Sequence, residues 1–434
     1  MAYSSSSLFR LINAKGIVGS SSNYCMLGKW SARCSASLFN LRAFSTATAT
    51  TAIKAVLNRD SPPWLMLPPE IEAGTTSYKF YSLADDKVLT RCLSDEIRNL
   101  RLTCRGSSHG WLALLSQHDG IFLYNPISRR HIKLPSILNL PLRFPCRDIR
   151  KDILASARKV DKVILSCSPD EENCRVLIIR DGGNALAFCC PGRSKEWTLV
   201  LDENRGSNYY RSDCVYSARL KLFFALACGN GRKLETWDLG DPSSPKLIKV
   251  DETNIKQGHF YSLLHTFSPL TYGGKDHLVV AKEDLLLVIQ YRMDSVGPDG
   301  SCFDLSDNSC PDNYPYMTIG FDIFKYDSEK GKFEYLDSSS LGDLAIFVGK
   351  HSHSVAIQAT QFPGVKPNSI YFTDTELTGK LEGNERDDNY GLFCCGHDIG
   401  IYNYQDKTVS SCYYPCDVPS ARRILAAPIW FFPN

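Results

Sequence analysis

Long apolar runs are missing from this chain. The strongest, residues 220–228 and 285–289, are far shorter than the ~20 residues a membrane-crossing helix needs, so no membrane span is expected. No Asn-x-Ser/Thr acceptor occurs, and no uninterrupted apolar segment near the N-terminus forms a secretory signal. Methionine is scarce at 5 residues, and text with helical periodicity is almost absent after the first residues. Carboxylates are missing from residues 1–59, which hold seven of the 49 basic side chains and none of the 47 acidic ones. The remainder therefore carries a net charge of −5. An acidic body lacks the basic footprint that phosphate neutralisation leaves, so no nucleic-acid partner is expected.

What is present is ample for a globular fold. Apolar residues make up 43% and charged residues 22%, excluding a collagen, a coiled coil and a disordered chain. The basic, acid-free, Ser-rich start is the composition of an organelle transit peptide. Leu8, Leu11 and Ile12 fall at helical spacing beside Arg10 and Lys15, giving a short basic amphipathic helix. Arg42-Ala43-Phe44-Ser45 is similar to the plant mitochondrial processing pattern. It predicts a transit peptide over 1–44, cleavage after Phe44, and a mature chain from Ser45. The expected compartment is the mitochondrion, with the chloroplast as the alternative.

The 17 cysteines fit a reducing compartment: the count is odd, Cys25 and Cys34 lie in the presequence, and the rest show no framework spacing. Cys394, Cys395 and His397 with Cys412 and Cys416 supply zinc-ligand types, but at a spacing of no familiar finger or ribbon. In a strand, adjacent Cys189 and Cys190 point to opposite faces and make no chelate. His351 and His353 would share one face of a strand, where a polar face is the expected role. No metal and no cofactor is expected.

Residues 45–77 read as a Pro-rich linker, with Pro62-Pro63 and Pro68-Pro69 excluding helix around Trp64-Leu65-Met66. From Tyr78 the text is almost wholly β. Short runs of Val, Ile, Leu, Phe and Tyr recur between turn signals such as Asp119-Gly120, Asp181-Gly182-Gly183 and Gly229-Asn230-Gly231. A strand rich in aromatics, a polar turn and a second strand recur at 122–134, 188–200, 236–249, 323–336 and 401–414. Intervals near multiples of ~40–50 residues make this unit the outer hairpin of a propeller blade. The prediction is an all-β chain: one β-propeller of kelch-like four-stranded blades over 78–434, six in number with seven as the alternative. Blades around an axis leave only short, protected edges.

Cys104-Arg-Gly-Ser-Ser-His-Gly-Trp-Leu-Ala, Leu123-Tyr-Asn-Pro and Ile132-Lys-Leu-Pro resemble the opening blade of the plant KIB-type β-propeller family, also called domain of unknown function 295. Ser340-Leu-Gly-Asp-Leu-Ala-Ile-Phe-Val-Gly and Phe362-Pro-Gly-Val-Lys-Pro-Asn-Ser-Ile-Tyr-Phe-Thr-Asp resemble its C-terminal signature. Many members of that family are F-box proteins, whose N-terminal helical box recruits a ubiquitin ligase while the propeller holds the substrate. Here a transit-like segment and a Pro-rich hinge stand where that box would be. The resemblance therefore implies an organellar branch without the adaptor.

Catalytic signals are weak. Gly106-Ser107-Ser108-His109-Gly110 matches the nucleophile-elbow spacing but leads into a strand rather than a helix. Gly273-Gly274-Lys275 lacks the upstream Gly and following Ser/Thr of a phosphate loop. Asp85-Asp86 and Asp387-Asp388 sit in polar, turn-like text. The leading expectation is a non-catalytic binding or scaffold propeller with a protein partner, recognising it through loops that include the insertions at 294–314 and 376–390. A ligase substrate receptor and, less favoured, a propeller enzyme acting at the axis are the alternatives.

Overall fold

The computed structural model describes residues 3–4, 62–68, 70–72, 75–92, 97, 102–116, 120–140, 160–180, 183, 185–200, 209–229, 231–253, 255, 258–260, 272–293, 296, 316–375, 396–413 and 427–433. Arg42, Phe44 and Ser45 lie outside them, as do Cys394, Cys395, Cys416, Asp387 and Asp388, and both expected loop insertions apart from Val296. Among the described residues helix is confined to positions 259–260 and two 3-10 turns, Ile137–Asn139 and Ala359–Gln361.

The described strands form six blades. Blade 2 is the antiparallel meander Leu102–Ser108, Trp111–Ser116, Gly120–Tyr124 and His131–Lys133. Blade 3 comprises Val160–Leu165, Val176–Arg180, Ala185–Cys189 and Thr198–Val200. Blade 4 comprises Tyr210–Ser217, Leu222–Gly229, Gly231–Asp238 and Lys246–Glu252. Blade 5 follows with Tyr272–Ala281, Asp284–Met293, Met317–Asp327 and Lys332–Leu336. The five hairpins singled out by the aromatic repeat are the third and fourth strands of blades 2 to 6, the outer hairpins the repeat predicts.

Blade 6 departs from a simple meander. Leu344–Val348 runs parallel to Ser369–Phe372, which continues antiparallel into Gly400–Asn403 and Thr408–Ser410. Parallel neighbours need a return connection. It is supplied by Val355–Gln358, which folds back on Leu344–Val348 and meets blade 5 through the parallel pair Val280 and Val355. Tyr3–Ser4 lies antiparallel on the outer edge of Thr408–Ser410.

Blade 1 closes the ring by joining strands from before and after all the other blades' main strands. Trp64–Met66 pairs antiparallel with Ile429–Phe431 on one side and with Thr75–Ser82 on the other, and Lys87–Cys92 completes the blade. This corrects the linker expectation for 45–77: Trp64–Met66 is a strand of blade 1 rather than part of a linker. The prolines do exclude helix, but they bracket a buried Trp-Leu-Met strand rather than mark an exposed hinge.

Period-two alternation lets one strand serve two interfaces. In Val176–Arg180, Val176 and Ile178 face the core shared with blade 2, whereas Leu177 and Ile179 face the core shared with blade 4. Trp64, Phe80 and Phe431 join blades 1 and 2, and Leu65, Phe347, Tyr371 and Trp430 join blades 6 and 1. A larger core unites blades 4, 5 and 6. Each sheet is therefore buried on both faces, which explains why continuous apolar text such as Trp111–Ser116 is buried at every position.

Candidate functional site

A propeller places its inner strands around a common axis, where propeller ligands converge. In this chain residues 349–354 occupy one part of that axis. The Trp430 N–H of blade 1 donates to Ser352 Oγ at 3.0 Å. The His353 N–H donates to the Ser107 carbonyl of blade 2 at 2.9 Å, and His353 Nδ1 lies 2.9 Å from Ser108 Oγ. His351 Nε2 is 3.4 Å from Arg105 Nη1 and its ring also meets the Asp161 backbone of blade 3. A segment touching the inner strands of blades 1, 2 and 3, and followed at once by the Val355 bridge to blade 5, has to sit at their centre.

Local sequence sets this up. The segment leaves its strand at Gly349, where a Cβ would stand 2.2 Å from Thr373 Oγ1, so only glycine permits the departure beside Ser369–Phe372. At Gly106 a Cβ would lie 2.3 Å from the Val163 carbonyl oxygen, so the inner strands of blades 2 and 3 approach closely because one lacks a side chain. His109 and Gly110 both have positive φ, 50° and 73°, at the two central positions of the hairpin between Leu102–Ser108 and Trp111–Ser116. That is the geometry of a primed two-residue turn, not of a strand-to-helix elbow.

His351 and His353 therefore differ from the expected strand pair. They lie outside any strand, in the segment that occupies one part of the axis. Ser108 and His353 have the spacing of a nucleophile and its base, but His109, rather than a carboxylate, stands edge-on to His353 with centroids 5.8 Å apart. Burial, then His109 and Lys162, lowers the His353 pKa to about 3. Burial, with Arg105, Lys350 and Lys162, holds His351 well below the usual histidine range. Near neutral pH both are neutral hydrogen-bonding groups, and an imidazole titrating near 3 is a poor general base.

Around this segment lie buried charges the sequence reading missed. Lys162 Nζ on blade 3 lies 2.6 Å from Asp213 Oδ1 on blade 4, and Asp213 Oδ2 accepts from the Leu278 N–H of blade 5 at 2.9 Å. One carboxylate thus ties three blades. Burial works against its charge, but Lys162, His277 and Lys275 outweigh that and hold Asp213 below its ordinary range. His277 Nε2 meets Gln290 Oε1 at 3.2 Å, Gln290 donates to Thr318 Oγ1 at 2.6 Å, and Thr318 Oγ1 donates to Asp398 Oδ2 at 2.6 Å. Nothing in the spacing of these residues signals their meeting, because each sits on a different strand or, for Asp398, just before one.

Other singled-out residues take structural roles. Gly273-Gly274-Lys275 lies within the inner strand of blade 5, with Lys275 Nζ donating to the Ser212 carbonyl at 2.9 Å. Asp85 and Asp86 accept from Ser82 and Tyr81 in an exposed hairpin turn. His397 Nε2 is engaged with the Tyr316 carbonyl at 2.8 Å, and Cys412 is buried. Among the described residues no group of three or more His, Cys, Asp or Glu is placed to hold a metal ion.

A second surface stands out at the rim. Lys246–Glu252 is the outer edge strand of blade 4, and its Leu247, Ile248 and Val250 are 40%, 56% and 42% exposed. Among the described residues no strand pairs with its outer side. Exposed β-branched residues on a free edge offer both backbone groups and apolar area to another chain.

The KIB1-4 beta-propeller family model matches residues 80–403. F-box protein At2g17690 of Arabidopsis thaliana is 43% identical over 60 residues, and the match covers 14% of this chain and 14% of that protein. Putative F-box protein At1g65770 of the same plant is 37% identical over 65 residues, covering 15% of this chain and 17% of that protein. Among solved structures, apo AztD from Citrobacter koseri has a TM-score of 0.32 at 11% identity, covering 67% of this chain and 75% of that one. The Cps50 (Swd1) β-propeller domain of Myceliophteria thermophila has a TM-score of 0.32 at 9% identity, covering 80% and 89%.

Proposed function

The chain belongs to the KIB1-4 β-propeller family, and from that premise we propose that it is a non-catalytic protein-binding propeller whose partner docks on the outer edge of blade 4. The observation that carries this reading is the exposed apolar edge strand Lys246–Glu252. Native edges are normally blunted by charge, brevity or cover. This one is seven residues long and keeps three large apolar side chains in solvent between Lys246 and Glu252, with Lys249 paired to its own Asp251 at 2.9 Å and Glu252 to Lys233 at 3.3 Å. The matching partner is an extended segment with alternating apolar residues, which adds as a further strand. The axis supports the same reading from the other side: residues 349–354 occupy part of it, His353 is already engaged with Ser108, and His351 with Arg105.

We place this propeller in the mitochondrion, after cleavage following Phe44, on the composition of residues 1–44. A second reading, a substrate receptor of a ubiquitin ligase, is favoured by the short matches to F-box proteins and needs a Skp-binding helix. The test is native purification of the C-terminally tagged protein from plant cells, with mass spectrometry of its N-terminus and its partners. The proposal expects a chain starting near Ser45 with mitochondrial partners. An intact or Ala2-processed start with Skp and cullin subunits would replace it with the ligase reading.

A further inference from the structure

Blade 3 carries a pair of thiols that the spacing of the sequence does not advertise. Its inner hairpin has Leu165 opposite Val176, and the Ser166 N–H donates to the Arg175 carbonyl at 2.9 Å. The same register, carried one step further, sets Cys167 directly opposite Cys174. The Arg175 N–H turns to Ser166 Oγ at 2.8 Å, so the Ser166 N–H bond is the last of the ladder, and the position just beyond it is the closely spaced one, where Cα atoms approach to roughly 4.5 Å. That separation lies within the ~4.4–6.8 Å that a disulfide spans. Two contacts agree with the register: Cys174 Sγ donates to the Cys167 carbonyl at 3.3 Å, and the two thiols are within hydrogen-bonding reach of each other. Cys167 is partly exposed and Cys174 buried, so reagents reach the pair through Cys167.

We propose that Cys167 and Cys174 are a redox modification site, forming a reversible cross-strand disulfide by exchange with a low-molecular-weight disulfide such as glutathione disulfide. The Cys167 thiolate attacks one sulfur of the reagent, forming a mixed disulfide and releasing one glutathione thiolate. The Cys174 thiolate then attacks the Cys167 sulfur and expels the second. Two protein thiols are oxidised, one reagent disulfide is reduced to two thiols, and two protons leave the protein for the released thiolates or solvent. The bond closes the acidic loop 168–173, which contacts blade 2 through Arg130 and Asp170 at 2.7 Å and accepts from Arg193 at the Glu171 carbonyl at 3.2 Å. Burial raises both thiols, Cys174 to about 12, so the exchange is slow at neutral pH and accelerates as pH rises.

The test equilibrates the folded, full-length protein with glutathione redox buffers, traps free thiols by alkylation in denaturant, and maps tryptic peptides. Cleavage after Lys162 and Arg175 yields one peptide, residues 163–175, whose only cysteines are these two. The expected result is that peptide lighter by two hydrogens and unalkylated, restored to two alkylated thiols by reductant. A Cys174→Ala variant is expected to stop at the glutathione adduct on Cys167. The equilibrium in the folded protein is expected to lie at least about tenfold further toward disulfide than in a synthetic 163–175 peptide, since the ladder holds the sulfurs in register. Two alkylated thiols throughout, a wild-type reaction that halts at the Cys167 adduct, a bridge from Cys174 to Cys189, or equal equilibria in protein and peptide would each overturn the proposal.

Discussion

Acid should loosen this propeller below pH 6.5, because its axial histidines are buried as neutral groups. His277 and His353 have pKa values lowered to about 4 and about 3, burial being the largest cause for each. In the unfolded chain they return to about 6.5, so between pH 6.5 and 4 the unfolded state binds more protons and stability falls with pH. Integrated from pH 6.5 to 4.5, each contributes a loss of roughly 2 kcal/mol, roughly 4 kcal/mol for the pair, against a net stability of about 5–15 kcal/mol. His109 and His351, also lowered by burial, act in the same direction. Asp398, raised by burial and by Asp374, opposes them by binding its proton earlier in the folded state. Urea denaturation at half-unit pH steps reads the sum, and His353→Gln isolates one member, since glutamine keeps a partner for Ser108 but does not titrate. The variant's stability should fall less steeply below pH 6.5, by about 1 kcal/mol per pH unit. Equal slopes in the two proteins would refute the burial of neutral His353 on the axis.

Other perturbations probe the ring. Gly106→Ala places a methyl 2.3 Å from the Val163 carbonyl oxygen and forces blades 2 and 3 apart; a loss of about 1–3 kcal/mol in urea denaturation is expected, and a neutral effect would contradict the close approach. Lys162→Met leaves Asp213 buried and unpaired and should cost about 3–5 kcal/mol, whereas Lys162→Met with Asp213→Asn should recover a large part by removing the orphan charge. Replacing Gly110, at φ 73°, together with the buried Trp111 should unfold the protein, and circular dichroism showing an intact fold with binding lost would reverse that structural assignment.

The architecture was legible because two signals repeat. Short apolar runs bounded by Gly, Asn and Asp announce strands, and the recurring aromatic hairpin marks the outer half of each blade. The start of the ring was not legible. Trp64-Leu65-Met66 is a strand only because Ile429–Phe431, from the far end of the described chain, lies beside it. His351 and His353 misled for a related reason: period-two spacing suggests a strand face, but the blade 1 and blade 2 backbone groups that capture Ser352 and His353 bend the segment inward. The Lys162–Asp213 pair and the Cys167–Cys174 pair depend on register and blade order. Neither quantity is written in local spacing.

A partner docking on the rim of blade 4 is the core of the proposed function. Its most direct test compares native complexes of three tagged proteins: wild type, Ile248→Lys with Val250→Lys, and Leu220→Lys as a control at another exposed apolar position of the same blade, 45% exposed. Thermal unfolding verifies that all three fold alike. One set of partners is expected to co-purify with wild type and the control and to be lost from the double variant. Retention of the same partners by the folded double variant would contradict it.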